Sequence, residues 1–303
     1  MIDTLTLDAP APDRSGWRRG WRAITGHRAL LVGLVLCLGV AAVACLADVI
    51  QLQAPERMRI KDAFAPPGRL HPFGADNLGR DVYSRVVHGS RISLGIGFAT
   101  VVLTGLAGTV LGCVSGYFRR WDELLMRTMD ALLAFPAILL AVAITAALGP
   151  SAVNAVIALT AVYTPRTARI ARASVLVARE MDYVQAARAV GASAGRILAI
   201  HVLPNCLTPL IVQLTFVFAY AVLAEAALSF LGMGPPPPTP TWGNVIAEGR
   251  DYLREASWIC LFPGAAISVT ESRWGRGAMR SICSRMCTAI GAAPCTSLAS
   301  ASR

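Results

Sequence analysis

The chain has 303 residues, of which 55% are hydrophobic and only 15% charged, with a formal net charge of +10. A soluble domain spends about a quarter of its residues on charge, so this one has too little polar surface to cover a water-exposed globule of its size, and the deficit points to lipid. Its arginines fall in the gaps between apolar runs rather than along one basic face, which argues against a nucleic-acid partner.

Taken in chain order against the ~20 apolar residues needed to cross a bilayer, the sequence offers six candidate spans. Residues 1–28 are a tail carrying Arg14, Arg18, Arg19, Arg22 and Arg28. The first span, 29–50, lacks a convincing small-residue cleavage site and reads as retained rather than as a removed signal. Residues 51–91 follow as a long polar loop. The second span, 92–117, contains Gly95, Gly97, Gly105, Gly108 and Gly112, which would let neighbouring helices approach closely. The third, 128–148, contains Pro136, tolerated where neighbours satisfy the freed carbonyl. The fourth is a short run at 152–164, the fifth is 207–231, and the sixth begins near Trp258 and reaches only Thr270.

Between the spans lie a short basic turn at 118–127, a minimal turn at 149–151, a basic segment at 165–206 and a Pro-rich loop at 232–257, which can be neither helix nor central strand. The fold expected is an all-α polytopic membrane helix bundle of six spans, the last incomplete. Lysine and arginine counts beside the spans put the N-terminus, 118–127 and 165–206 in the cytoplasm. Residues 51–91 must then lie outside despite their own basic residues, which Glu56, Asp62, Asp76 and Asp81 partly balance.

No catalytic or metal chemistry is legible. There is one lysine, Lys61, no Gly-rich phosphate loop, no HExxH, no GxSxG and no Cys/His cluster. Cys37, Cys45, Cys113, Cys206 and Cys260 lie in or beside apolar runs, where a free thiol packs as a small hydrophobe; without a CxxC pair neither zinc nor a disulfide framework is indicated. A membrane hydrolase lacks its nucleophile motif. An ion-coupled transporter would need ionisable residues inside its spans, and Glu225 and Asp130 are the only carboxylates near them.

The segment DYVQAARAVGASAGRILAIHVLPN, residues 182–205, interrupts this apolar pattern. Glu180 to Val190 reads as a helix with Met181, Val184, Ala187 and Val190 on one side. Gly191 is placed for a left-handed cap, and Ser193 for capping a second short helix that stops ahead of Pro204. By itself the segment is either an ordinary basic loop or a docking element in which a short helix enters a groove on a soluble partner.

The segment resembles the EAA loop of ABC importer permeases, with Gln185-Ala186-Ala187, then Gly191, then Leu203-Pro204, and His201 at the variable apolar position; Gln185 replaces the family's Glu. FGADNLGRDVYSRVVHGSRISLGIG (73–97) and AEAALSFLGMGPPPPTPTWGNVIAEGRDYL (224–253) resemble the dipeptide/oligopeptide permease family, specifically the second of its two permease subunits. The likeness covers about residues 17–270. It implies a type I ABC importer transmembrane domain, with core 92–270 and coupling loop 180–205, in a bacterial inner membrane with the N-terminus cytoplasmic.

The resemblance further implies a second permease subunit forming a heterodimer, two ATPase subunits holding ATP and Mg²⁺, and a periplasmic or extracellular solute-binding protein; this chain would bind no cofactor itself. The cargo implied is di- or oligopeptide, with nickel or another small solute as the alternative. Glu225 would contact the pathway or another helix. Asp76, Gly79, Arg80 and Asp81 form a motif of the external loop, ordering it by local ion pairing or touching a partner, and His201 would pack on the surface of the coupling turn. Family members continue past Thr270 with further apolar sequence, whereas residues 271–303 are aperiodic and rich in Arg, Ser, Ala and Cys, including Cys283, Cys287 and Cys295. The expectation is a frameshifted tail, which could leave a non-functional remnant; the alternative is a genuine divergent tail.

Overall fold

The computed structural model describes residues 39–40 and 42–270, so the 1–28 tail, most of the first predicted span and the 271–303 tail lie outside the described residues. Among the described residues the chain is all-helical, with one isolated bridge between Ala75 and Asp81. In chain order the helices are α1 (Ala47–Ile50), α2 (Val82–Tyr117), α3 (Arg119–Leu133), α4 (Ala137–Leu148), α5 (Ala152–Arg179), α6 (Asp182–Ala189), α7 (Ala194–Phe230), α8 (Trp242–Gly249) and α9 (Trp258–Thr270).

Helix starts follow side-chain chemistry. Asp81 accepts from the Ser84 amide at 2.9 Å to open α2, Ser151 accepts from Val153 to open α5, and Thr241 accepts from Asn244 to open α8. Two helices, α2 with 36 residues and α7 with 37, are long and apolar enough to cross a membrane; α3 and α4 make a third candidate if their bent pair is one span. Helix α9, at 1.5 Å per residue about 20 Å long, keeps the short apolar character read from its sequence.

The structure corrects several boundaries. Helix α2 begins ten residues before the predicted second span, because its polar first turns are buried beneath loops rather than exposed in one. The predicted third span is two helices bent by 93° at Pro136, whose missing N–H breaks the ladder, and the supposed turn at 118–127 is the start of α3. The fourth span does not stop at 164: α5 runs through Pro165 to Arg179. The fifth begins at Ala194, and Pro204 does not end a helix. A π-turn at Leu198–Val202, with the Leu203 amide bonded to the Leu198 carbonyl, carries the chain into a stretch where Pro204 occupies the first turn and its missing donor is not needed.

Helix α2 is the axis of the bundle, packed most extensively on α5 and also against α7, which in turn lies on α5. The approach depends on glycine. A Cβ on Gly108 would stand 2.7 Å from Thr167 Cβ, and one on Gly116 2.9 Å from Val175 Cβ; one on Gly112 would meet the Ala168 carbonyl oxygen at 2.5 Å and Ala171 Cβ closer still. These three sit four apart on the α5-facing side, the small-residue spacing of close helix pairs. Gly97 and Gly105 make the corresponding contacts with Val222 and Leu214 of α7, whereas Gly95 faces open space and plays no part.

Gly112→Ala should therefore cost about 1–3 kcal/mol through overpacking against backbone, read as a lower unfolding midpoint of the purified protein in detergent. Gly95→Ala should leave that midpoint unchanged or slightly raised; equal effects at both positions would contradict the seam.

Candidate functional site

At one end of the bundle the chain leaves α5, forms α6, reverses, and enters α7. Helix α6 closes with a Schellman motif: the Gly191 amide donates to the Arg188 carbonyl at 2.9 Å, and the Ala192 amide to the Ala187 carbonyl at 3.1 Å. Gly191 takes φ +85°, which an L side chain adopts at a cost of roughly 1–2 kcal/mol. The spacing from Ala187 to Gly191 is thus the spacing of a left-handed cap. Ser193 precedes the next helical turn in an extended conformation, but its hydroxyl makes no capping bond, contrary to expectation.

The loop is rooted by apolar side chains. Val184, Ile197 and Val202 are wholly buried with Cys113 of α2, Val175 of α5 and Cys206 of α7, and Ala187 and Leu203 pack half-buried against them. Polar contacts add to this footing. Asn205 Nδ2 donates to Tyr183 Oη at 3.0 Å, Gln185 Nε2 donates to the Arg179 carbonyl at 3.1 Å, and the Arg188 guanidinium lies 5.5 Å from the Tyr117 ring centre. His201 is half-buried, its ring 6.3 Å from that of Tyr183. Facing away from the bundle are Gln185, Ala186, Gly191 and Pro204, and Val190 is 89% exposed.

Next to this loop α3 is clamped to α5. Asp122 accepts from Arg172 Nε and Nη2 at 2.5 and 2.6 Å, and Asp130 pairs with Arg169. The Arg172 guanidinium bonded to it holds the Asp122 carboxyl below the ordinary carboxylate value.

At the other end, residues 51–81 and 232–257 form a polar cap over the first turns of α2. Asp76 accepts from Arg80 Nε at 2.6 Å and from Arg85 Nη1 at 2.8 Å, and Glu248 of α8 accepts from both arginines, with Arg85 at 2.7 and 3.1 Å. Arg85 is only 1% exposed. Asp81 stands apart from this cluster: it caps α2 and faces His71 Nδ1 at 3.0 Å. Gly79 turns the loop with φ +69° at a place where a Cβ would strike the Arg59 carbonyl.

Trp242 locks α8 down, its indole N–H donating to the Val86 carbonyl at 3.0 Å, and Trp258 does the same for the loop through Ala75. Glu225 of α7 lies beneath this cap, fully buried, accepting from Ser229 Oγ at 2.7 Å with Ser93 and Thr241 as polar neighbours. His71, Arg85 and Glu248 were not singled out by the sequence. Arg85 was missed because the sequence places it in the 51–91 loop; once α2 is seen to start at Val82, a buried arginine in its first turns needs a carboxylate partner.

Removing one partner from that cluster strands the others. Arg85→Met should cost about 3–5 kcal/mol, seen as a lower unfolding midpoint and faster tryptic cleavage between Arg57 and Arg69; an unchanged midpoint would contradict the role given to the cluster.

Residues 108–271 match the family described as binding-protein-dependent transport system inner membrane component. A Brucella abortus protein described as a peptide transport system permease is 55% identical over 249 residues, covering 82% of this chain and 84% of its own length. The dipeptide transport system permease DppC of Alkalihalophilus pseudofirmus is 40% identical over 254 residues, 84% of each chain. A chain from an inward-facing structure of the MetNI methionine ABC transporter is similar in fold, with a TM-score of 0.53 and 17% identity over 65% of this chain and 94% of that one. A helical bundle with a glycine-capped loop at its base, matched over most of its length by permeases, belongs to the family of binding-protein-dependent transport system inner membrane components.

Proposed function

We propose that the chain is the permease subunit of an ATP-driven importer of di- and oligopeptides, and that the segment Gln185–Pro204 receives the motion that drives it. ATP and Mg²⁺ belong on two separate ATPase subunits, this chain holding no cofactor of its own. A second permease completes the pathway, and a solute-binding protein delivers cargo at the polar cap. The α6 end then faces the cytoplasm, with the N-terminus on the same side. The peptide cargo is supported by the relatives described as peptide and dipeptide transport permeases.

One observation carries the coupling assignment: an exposed rim around a wholly buried footing. Val190, Gln185 and Ala186 are exposed, while Val184, Ile197 and Val202 below them have no slack. A push on the rim moves the ends of α2, α5 and α7 as one body, because packed side chains do not yield separately. A short helix entering a groove is a recurrent way for a soluble partner to grip such a rim. Glu225 belongs to the other end, tying α7 to the cap rather than meeting cargo.

Gly191→Pro cannot adopt φ +85° and loses the N–H that bonds Arg188, so ATPase co-purification and peptide uptake should both fall to background. Val190→Asp, on a side chain that touches little, should leave membrane levels normal and cut ATPase recovery about tenfold. Full ATPase binding and uptake in either variant would overturn the assignment.

A further inference from the structure

Helix α3 has a surface that the permease reading does not use. Its inward side meets α5 through the Asp122 and Asp130 ion pairs, and Met129 on that side is buried. Its opposite side is apolar and open: Trp121 is 55% and Leu124 58% exposed, followed at spacings of four and three by exposed Thr128 and Ala131. Arg120 and Arg127, seven apart, border this stripe, each four residues before an apolar member of it (Leu124 and Ala131).

The charge on α3 is one-sided once its pairs are removed. Asp122 and Asp130 are taken by Arg172 and Arg169, and Glu123 pairs only with Arg127, in a bridge about three-quarters exposed at both ends. Such a surface bridge is weak. Arg119 and Arg120 have no carboxylate partner among the described residues.

Orientation supplies the rest. Helix α4 carries no charged residue and exposes Ile138 and Leu139, so of the bent pair it is the member that enters hydrocarbon. The 93° bend therefore turns α3 across the direction of α4, level with the end of α2 at Tyr117 and Phe118. A helix with a polar face, a Trp/Leu face and low overall hydrophobicity lying across the span direction matches an interfacial helix.

We propose that α3 lies in the lipid headgroup layer, with Trp121, Leu124 and Ala131 against the upper acyl chains and Arg120 and Arg127 on the phosphates of anionic phospholipid. This rests on α2 crossing a bilayer and on α4 entering its hydrocarbon from the same face. Long arginine side chains reach outward from an apolar stripe to headgroup depth, and each basic residue near an anionic surface contributes about 1 kcal/mol, or about fivefold in lipid retention.

The test uses the full chain assembled with its partners in vesicles of phosphatidylcholine alone or mixed equally with phosphatidylglycerol. The Trp121 fluorescence component, taken as wild type minus Trp121→Phe, should be quenched by lipids brominated near the headgroup end of the acyl chain and spared by aqueous iodide. Native mass spectrometry should show retained phosphatidylglycerol falling about fivefold for each arginine removed in Arg120→Gln/Arg127→Gln, with no fall for Arg57→Gln/Arg69→Gln at the cap. Trp121 quenched by iodide, or by neither agent, would place water or another protein on this face and overturn the proposal. So would loss of ATPase binding in Arg120→Gln/Arg127→Gln with lipid retention unchanged. A chain absent from the membrane fraction would instead refute the underlying span reading.

Discussion

The close approach of α2 to α5 and α7 is the constraint on which the rest depends. Between helices in lipid there is no hydrophobic drive to associate, because acyl chains are as apolar as leucine; packing contact must supply it. Gly108, Gly112 and Gly116 bring the α5 backbone within contact of α2, and Gly97 and Gly105 admit Val222 and Leu214 from α7. That seam makes the last turns of α5 and the first of α7 converge beside Cys113 of α2. The loop strung between those two ends then has one place to bury Val184, Ile197 and Val202.

The two ends of the bundle are finished in opposite ways. At the cap, carboxylates and guanidinium groups neutralise one another within Asp76, Arg80, Arg85 and Glu248, and the indole donors of Trp242 and Trp258 close on backbone carbonyls. At the loop the footing is apolar and the rim is left open, ending in an exposed Val190 and a glycine with nothing near it. A closed network resists deformation, while an open rim on a buried base suits a contact that must be pushed. The clamp of Asp122 on Arg172 ties α3, which leads to the bend before α4, to the same body.

The sequence made the class of fold and the loop legible to different depths. Apolar runs and their glycines announced a helical membrane bundle, and the four-residue step from Ala187 to Gly191 announced a left-handed cap. What failed were boundaries governed by tertiary cover. Arg85 looked like a loop residue because the cap that buries it is distant in sequence; Glu248 lies more than 160 residues from it. In sequence Pro136 reads as tolerated within a span and Pro204 as a helix stop, yet the first sits at a 93° bend and the second is absorbed by an upstream π-turn, a difference made by the backbone before each proline. The arginines of 165–179 suggested a loop, whereas they extend α5, two of them held by carboxylates of α3.

The most direct test of the account is to place a photoreactive benzoylphenylalanine at Val190 in the assembled transporter, irradiate in membranes, and identify the adduct. A covalent adduct with the ATPase subunit, lost when the same group is placed at Leu70 of the cap, is the predicted result. An adduct with the solute-binding protein, or none with the ATPase, would contradict the claim that this glycine-capped loop is where the motor takes hold.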